Sequence, residues 1–150
     1  MRRTRILILA GFGLFFFLGI SVMLARALSA TGTERSRVLD VARAQARGDA
    51  RAVLARTPAC ARQKACEVAT ETFVARLRRP GEVEILQYRP SVQLPMTRAT
   101  GTGRVAWRAG KSGLPVVQCV RVRRDGPLTG AGVELLSISA PIGPEEGCPQ

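Results

Sequence analysis

The groups in this chain to which chemistry can be assigned are four cysteines, two carboxylate pairs and a few aromatic and amide side chains. Cys60, Cys66, Cys119 and Cys148 form an even set. Zinc is the competing use, but Cys-x5-Cys followed by cysteines 53 and 29 residues further on is not knuckle spacing. Disulfides in an oxidising compartment are expected instead. On one unbroken helix, residues six apart rise ~9 Å and face different ways, beyond the ~4.4–6.8 Å between bridged Cα atoms. A Cys60–Cys66 bond therefore requires a turn through Ala61-Arg62-Gln63-Lys64, and that turn is predicted. Cys119 then pairs with Cys148. If Val116–Arg124 and Val133–Ala140 form a hairpin, Ala140 lies beside Pro115 or Val116, roughly 10–13 Å from Cys119. A turn at Pro141-Ile142-Gly143-Pro144 lets the tail cover that distance.

The remaining chemistry is sparse. Histidine and asparagine are absent. The first absence removes Ser-His-Asp and Cys-His nucleophiles, histidine bases, histidine-bearing zinc sites and histidine-ligated haem; the second removes N-glycosylation. Glu82 with Glu84, and Glu67 with Glu71, share a strand face and a helix face respectively. Each pair has arginine nearby in sequence and reads as solvated surface rather than as an acid/base couple. Gly110-Lys111-Ser112 lacks the glycine of a phosphate loop, since position 105 is Val105, and no helix follows. Gly101 and Gly103 lack the helix of a dinucleotide fingerprint. Arg47-Gly48-Asp49 reads as a helix stop and cap. No catalytic, cofactor-binding or metal-binding residue is assigned, and no enzyme activity or cofactor is expected. Tyr88, Trp107 and Gln118 are candidate pocket-lining residues, with core and rim packing as the alternative.

The formal charge is +12, from 23 cations and 11 carboxylates, and only Lys64 and Lys111 are lysine. Arginine richness with abundant alanine and glycine is a habit of high-GC coding sequences. Nucleic-acid modules add aromatic platforms to their charge. Here four of the five phenylalanines fall in one apolar run, and Phe73, Tyr88 and Trp107 are the other aromatics. A nucleic-acid partner is not expected; an anionic lipid surface fits the charge better.

That run, Ile6 to Ala25, holds no charge. Twenty residues at ~1.5 Å rise span roughly 30 Å, the hydrocarbon thickness of a bilayer. It is longer than the ~7–15 residues of a secretory signal, which favours an uncleaved anchor over cleavage at Ala25-Arg26-Ala27. The expected organisation is a cytoplasmic tail (1–5), a transmembrane signal-anchor (6–25), a tether (26–33), an extracytoplasmic domain (34–142) and a C-terminal tail (143–150). The chain would then be a single-pass cell-membrane protein with a cytoplasmic N-terminus.

Within the domain, Thr33 is placed to cap a helix starting at Glu34, with Leu39, Ala42 and Ala46 on one stripe and Arg35, Arg43 and Arg47 off it. Gly48 ends that helix and Asp49 caps a second through Val53 and Leu54. Thr57-Pro58 breaks the pattern, and a third helix covers roughly 64–78 before Pro80-Gly81. The period then changes to two: Val83 and Ile85; Val105 and Trp107; Val116, Val120 and Val122; and Val133 to Ala140. Gly/Pro/Ser clusters at 90–95, 109–115 and 125–132 separate these runs. Three helices followed by four or five antiparallel strands mean an α+β fold with helices packed on one sheet face.

This order, with Gly81–Gln87, Gly103–Arg108, Val116–Val122 and Val133–Ser139 as its strands, resembles the nuclear transport factor two-like (cystatin-like cone) superfamily. It looks most like the small membrane-anchored envelope members of high-GC bacteria. The resemblance covers about residues 34–142 and implies a curved sheet wrapped round the helices, with a pocket at the open end. Enzymatic members often place Asp-His or Tyr-Asp pairs there, and the histidine half of that pattern has no counterpart in this chain. The function expected is a non-catalytic module that binds a protein partner or an apolar ligand outside the membrane. The alternative is a structural or assembly subunit of an envelope complex, its basic surface on anionic lipid.

Overall fold

The computed structural model describes residues 2–90, 97–126 and 132–149, and of residues 2–10 and 26–31 it describes the backbone alone. Helix α1 (Arg2–Ala46) is followed by α2 (Ala50–Arg56), α3 (Pro58–Ala61) and α4 (Lys64–Arg76). Strands β1 (Val83–Arg89), β2 (Ala99–Ala109), β3 (Val116–Arg124) and β4 (Val133–Ile138) form one antiparallel sheet in the order β1-β2-β3-β4. The fold is α+β, with the helices preceding a four-stranded antiparallel sheet. Most of the 90–95 and 125–132 clusters lies outside the described residues.

The expected tether and the helix start at Glu34 are corrected: α1 runs without interruption through residues 26–33, and Thr33 lies inside it. The segment contains no proline. The ~1 kcal/mol penalty of Gly32 falls within a helix already nucleated on both sides, where each added residue completes another hydrogen bond. Among the described residues, no helix is long and apolar enough to cross a membrane. The side chains of 6–10, the first quarter of the apolar run, lie outside the described set.

α1 ends as its sequence dictates. Gly48 adopts φ +72°, its N–H donates to the Gln45 carbonyl at 2.8 Å, and the Asp49 N–H donates to the Ala44 carbonyl at 2.9 Å. This is a Schellman closure, which needs a left-handed residue at Gly48. The Asp49 carboxylate then accepts from the Ala52 N–H at 2.9 Å and caps α2. Pro58 opens α3 at the first helical position, where a missing N–H costs nothing. Arg62 and Gln63 make the predicted turn into α4, across which Cys60 and Cys66 are bonded with their Cα atoms 5.2 Å apart.

The inner face of the sheet carries Val83 and Ile85, Val105, Trp107 and Ala109, Val116, Val120 and Val122, and Val133, Leu135 and Ile138. They pack in one core with Val38, Val41 and Ala42 of α1, Val53 of α2, and Phe73 and Val74 of α4. Strand β3 is buried on both faces from Val116 to Val120, so simple alternation fails there. The reason is the C-terminal segment. Ile142 bridges to Val117, the Arg104 guanidinium reaches the Pro144 carbonyl, and Cys148 is bonded to Cys119 with Cα atoms 5.6 Å apart. The predicted pairing is present, but the register differs from that expected for Ala140. A bulge between Arg121 and Val122 shifts β4 along β3, and it is the Ser139 N–H that meets the Cys119 carbonyl, at 2.9 Å.

Candidate functional site

Tyr88, Trp107 and Gln118 all belong to inner-face strands, but they do not form one constellation. Trp107 and Gln118 are fully buried. The indole N–H donates to Gln118 Oε1 at 2.8 Å, and Gln118 Nε2 donates to the Ser139 carbonyl at 2.7 Å. This chain ties β2 to β3 and to the segment after β4, and it satisfies two polar groups that would otherwise be costly to bury. Tyr88 lies at the other end of β1, half-buried, and its hydroxyl donates to Glu34 Oε1.

That contact belongs to a cluster that periodicity alone did not single out. Glu34 of α1 is completely buried, and its other carboxylate oxygen accepts from Arg124 Nε at the end of β3. One helix and both β1 and β3 thus meet at a buried ion pair. Glu34, Val38, Val41 and Gln45 follow one another at helical spacing, so a single stripe of α1 carries a charge, an apolar centre and an amide into the core. Gln45 is also fully buried, and neither of its amide atoms has a hydrogen-bond partner among the described residues.

The carboxylate pairs sit at the surface. Glu84 accepts from Arg108 at 2.9 Å, and Glu67 accepts from Lys64 at 2.9 Å. The Glu67 hydrogen bond, helped by its charge, raises the Lys64 ammonium above its ordinary value. All four cysteines are in disulfides. Among the described residues, no group of three or more Cys, Asp or Glu side chains is arranged to hold a metal ion.

A broad concave surface lies between α1 and the edge strand β1. One part, about 950 Å³, is lined by Arg35, Leu39, Arg43, Glu82 to Ile85, Gly110 and Lys111. A second, about 680 Å³, continues along Arg43, Arg47, Arg78, Arg79 and Gly81, and the two share Arg43, Glu82 and Val83. Six cations and two carboxylates line this trough. Glu84 is held by Arg108 and Arg43 lies 3.5 Å from Asp40, whereas Arg35, Arg47, Arg78 and Lys111 make no ion pair among the described residues. Its far end depends on Gly81, at φ +112°, where a Cβ would stand 2.7 Å from the Gly110 amide nitrogen. The trough was missed in sequence because its charges come from three separate segments. The only linear signal was the Arg35, Arg43 and Arg47 series on the outer stripe of α1.

Comparison with protein-family models, with curated proteins and with solved structures finds no match to this chain. The arrangement can hold anionic groups in the trough by charge and hydrogen bonding.

Proposed function

We propose that this chain is a membrane-anchored, single-pass protein whose disulfide-stapled extracytoplasmic domain is non-catalytic and binds a protein partner. The observation that carries the reading is the course of α1, which runs from the apolar sequence 6–25 into the domain core as one helix. In its described part, Phe12 and Phe15 stand 72% and 79% exposed, and Phe16, Phe17 and Leu18 are exposed beside them. The fifteen residues 11–25, whose side chains are described, are too short for a bilayer on their own; Ile6-Leu-Ile-Leu-Ala10 brings the uncharged sequence to the ~20 that a span needs.

The cone-type resemblance is retained as part of the proposal. α1 touches both outer strands, β1 and β4. In a flat four-stranded sheet these would lie ~14 Å apart, wider than a helix of ~10–12 Å, so contact with both favours a sheet curved round α1. Val105, Trp107, Val120 and Val122 are no more than 1% exposed. An interior so filled favours a partner on the outer surface over an apolar ligand inside, and it also suits the alternative of a structural subunit in an envelope complex resting on anionic lipid.

Carbonate extraction, protease accessibility from the outside and intact mass of the membrane form test this. The chain should resist extraction, retain residues 6–25 and lose its C-terminal domain to external protease. A mature N-terminus near Leu28, or a domain protected in cells opened only on the outside, would overturn it.

A further inference from the structure

We infer that the trough between α1 and β1 is the docking site for an extended acidic segment of the protein partner. This inference rests on the membrane-anchored, partner-binding reading. Charge selects the chemistry: Arg47, Arg78 and Lys111 are exposed and Arg79 is half-buried, Glu84 is already neutralised by Arg108, and the one other carboxylate of the trough, exposed Glu82, is outnumbered by these cations. Arg79 also donates to the Leu114 carbonyl at 2.7 Å, so its guanidinium is held in place along the trough wall. Guanidinium groups favour carboxylates in planar, two-point contacts, and several fixed together discriminate against uncharged chains.

Shape selects an extended segment. From Arg35 to Arg47, α1 rises about 18 Å at ~1.5 Å per residue, which matches about six residues of extended chain at ~3.3 Å each. The other wall is β1, an edge strand whose only strand partner among the described residues is β2. Its outer rim offers main-chain groups to a peptide laid alongside. Three or four carboxylates in six residues would meet the unpaired arginines and lysine.

Height argues against lipid headgroups as the occupant. Along α1, Arg43 lies about 27 Å and Arg47 about 33 Å beyond Ala25 at ~1.5 Å rise. A tilt of 40°, the upper end of the usual range, still leaves Arg43 about 21 Å away. The Debye length is ~8 Å at physiological ionic strength. Arg35 can feel a bilayer surface, but Arg43 and Arg47 stand about two screening lengths or more above a headgroup layer that extends ~5–7 Å past the hydrocarbon.

The test uses the full chain in phosphatidylcholine nanodiscs and fluorescein-labelled hexaglutamate, followed by anisotropy at low salt. Arg47→Glu with Arg78→Glu should weaken binding at least tenfold. Arg62→Glu with Arg121→Glu, the same charge change at exposed positions outside the trough, should change it less than threefold. The peptide should also slow amide exchange in Val83–Leu86. Equal weakening by both pairs would show only general attraction to a basic protein and would overturn the assignment. So would slowed exchange along the trough in phosphatidylglycerol-containing discs without peptide, which would make it a lipid surface. Failure of the anchor reading would appear separately, as a chain that does not enter discs. The titration then runs on the free chain and still decides the trough.

Discussion

Replacing Arg124 by methionine removes one half of an ion pair that α1 and β3 bury together. The two side chains are 3% and 0% exposed, and Glu34 accepts from Tyr88 as well as from Arg124. Taking away one partner of such a pair costs about 3–5 kcal/mol, because the remaining charge stays buried without its counter-ion. A domain of this size is stable by about 5–15 kcal/mol, so a fifth or more of its stability is at stake. At roughly 4 °C per kcal/mol, the melting temperature should fall by about 12–20 °C. Replacing both groups together, Glu34→Leu with Arg124→Met, should recover to within about 1 kcal/mol of the parent or exceed it, since neither desolvated charge remains. Tyr88→Phe should cost less, about 1.5–3 kcal/mol, for one hydrogen bond to a charged acceptor. Trp107 is the single tryptophan and is fully buried, so its fluorescence reports guanidinium unfolding of the full chain. If Arg124→Met and Glu34→Leu each lose under 1 kcal/mol alone and the double variant loses their sum, the pair is not coupled and the reasoning fails.

Gln45→Met should raise stability by about 1–2 kcal/mol, because both amide atoms are buried without partners among the described residues; a lower melting temperature would show that the amide is bonded in solution. Removing Cys119–Cys148, which closes 29 residues, should cost about 3.6 kcal/mol in chain-entropy terms. Removing Cys60–Cys66, which closes 6, should cost about 2, and paired serine variants compared in denaturant melts would expose a reversed order. Gly81→Ala should lose about 2 kcal/mol or more, given its positive φ and the 2.7 Å approach to Gly110, whereas Gly32→Ala, in open space on α1, should gain up to about 1; equal thermal shifts would contradict this.

The sequence made the fold class legible because hydrophobic period changes cleanly after Pro80-Gly81, from helical stripes to Val83 and Ile85 in alternation. Both disulfides were legible, the first because a turn through Ala61–Lys64 brings Cys60 and Cys66 within Cα reach, the second because a hairpin of the last two strands brings the C-terminal tail within reach of Cys119. The boundary of α1 was not, since small polar residues at 26–33 suit a loop and a helix alike, and a neighbouring folded helix settles the matter. The double burial of Val116–Val120 depended on a C-terminal segment returning across the outer face, a long-range contact that no local pattern encodes. Arg124 was in phase with Val116, Val120 and Val122 and therefore on the inner face. Charged side chains are so seldom buried that its parity could be trusted only once Glu34 was seen opposite it. The trough needed tertiary structure, because Arg43, Arg78 and Lys111 are neighbours only after the chain has folded.

The uninterrupted α1 bears on how the domain works, and not only on where it is held. A flexible tether would let the domain turn freely and present any face to its surroundings. In the membrane-anchored reading, one helix leaves the bilayer and supplies the inner stripe Glu34, Val38, Val41 and Gln45, so the azimuth of the sheet is fixed relative to the anchor. The trough shares α1 as a wall, through Arg35, Leu39, Arg43 and Arg47 on an adjoining face of the same helix, where Leu39 also packs against the core. Its height and direction are then set by helical rise and by about 100° per residue, rather than by diffusion of a linker. A partner with an acidic segment at the matching height loses less rotational freedom on docking than it would against a tethered domain. The buried Glu34–Arg124 pair sits where α1 enters the core, and it resists the rotation of the helix that would swing the trough away.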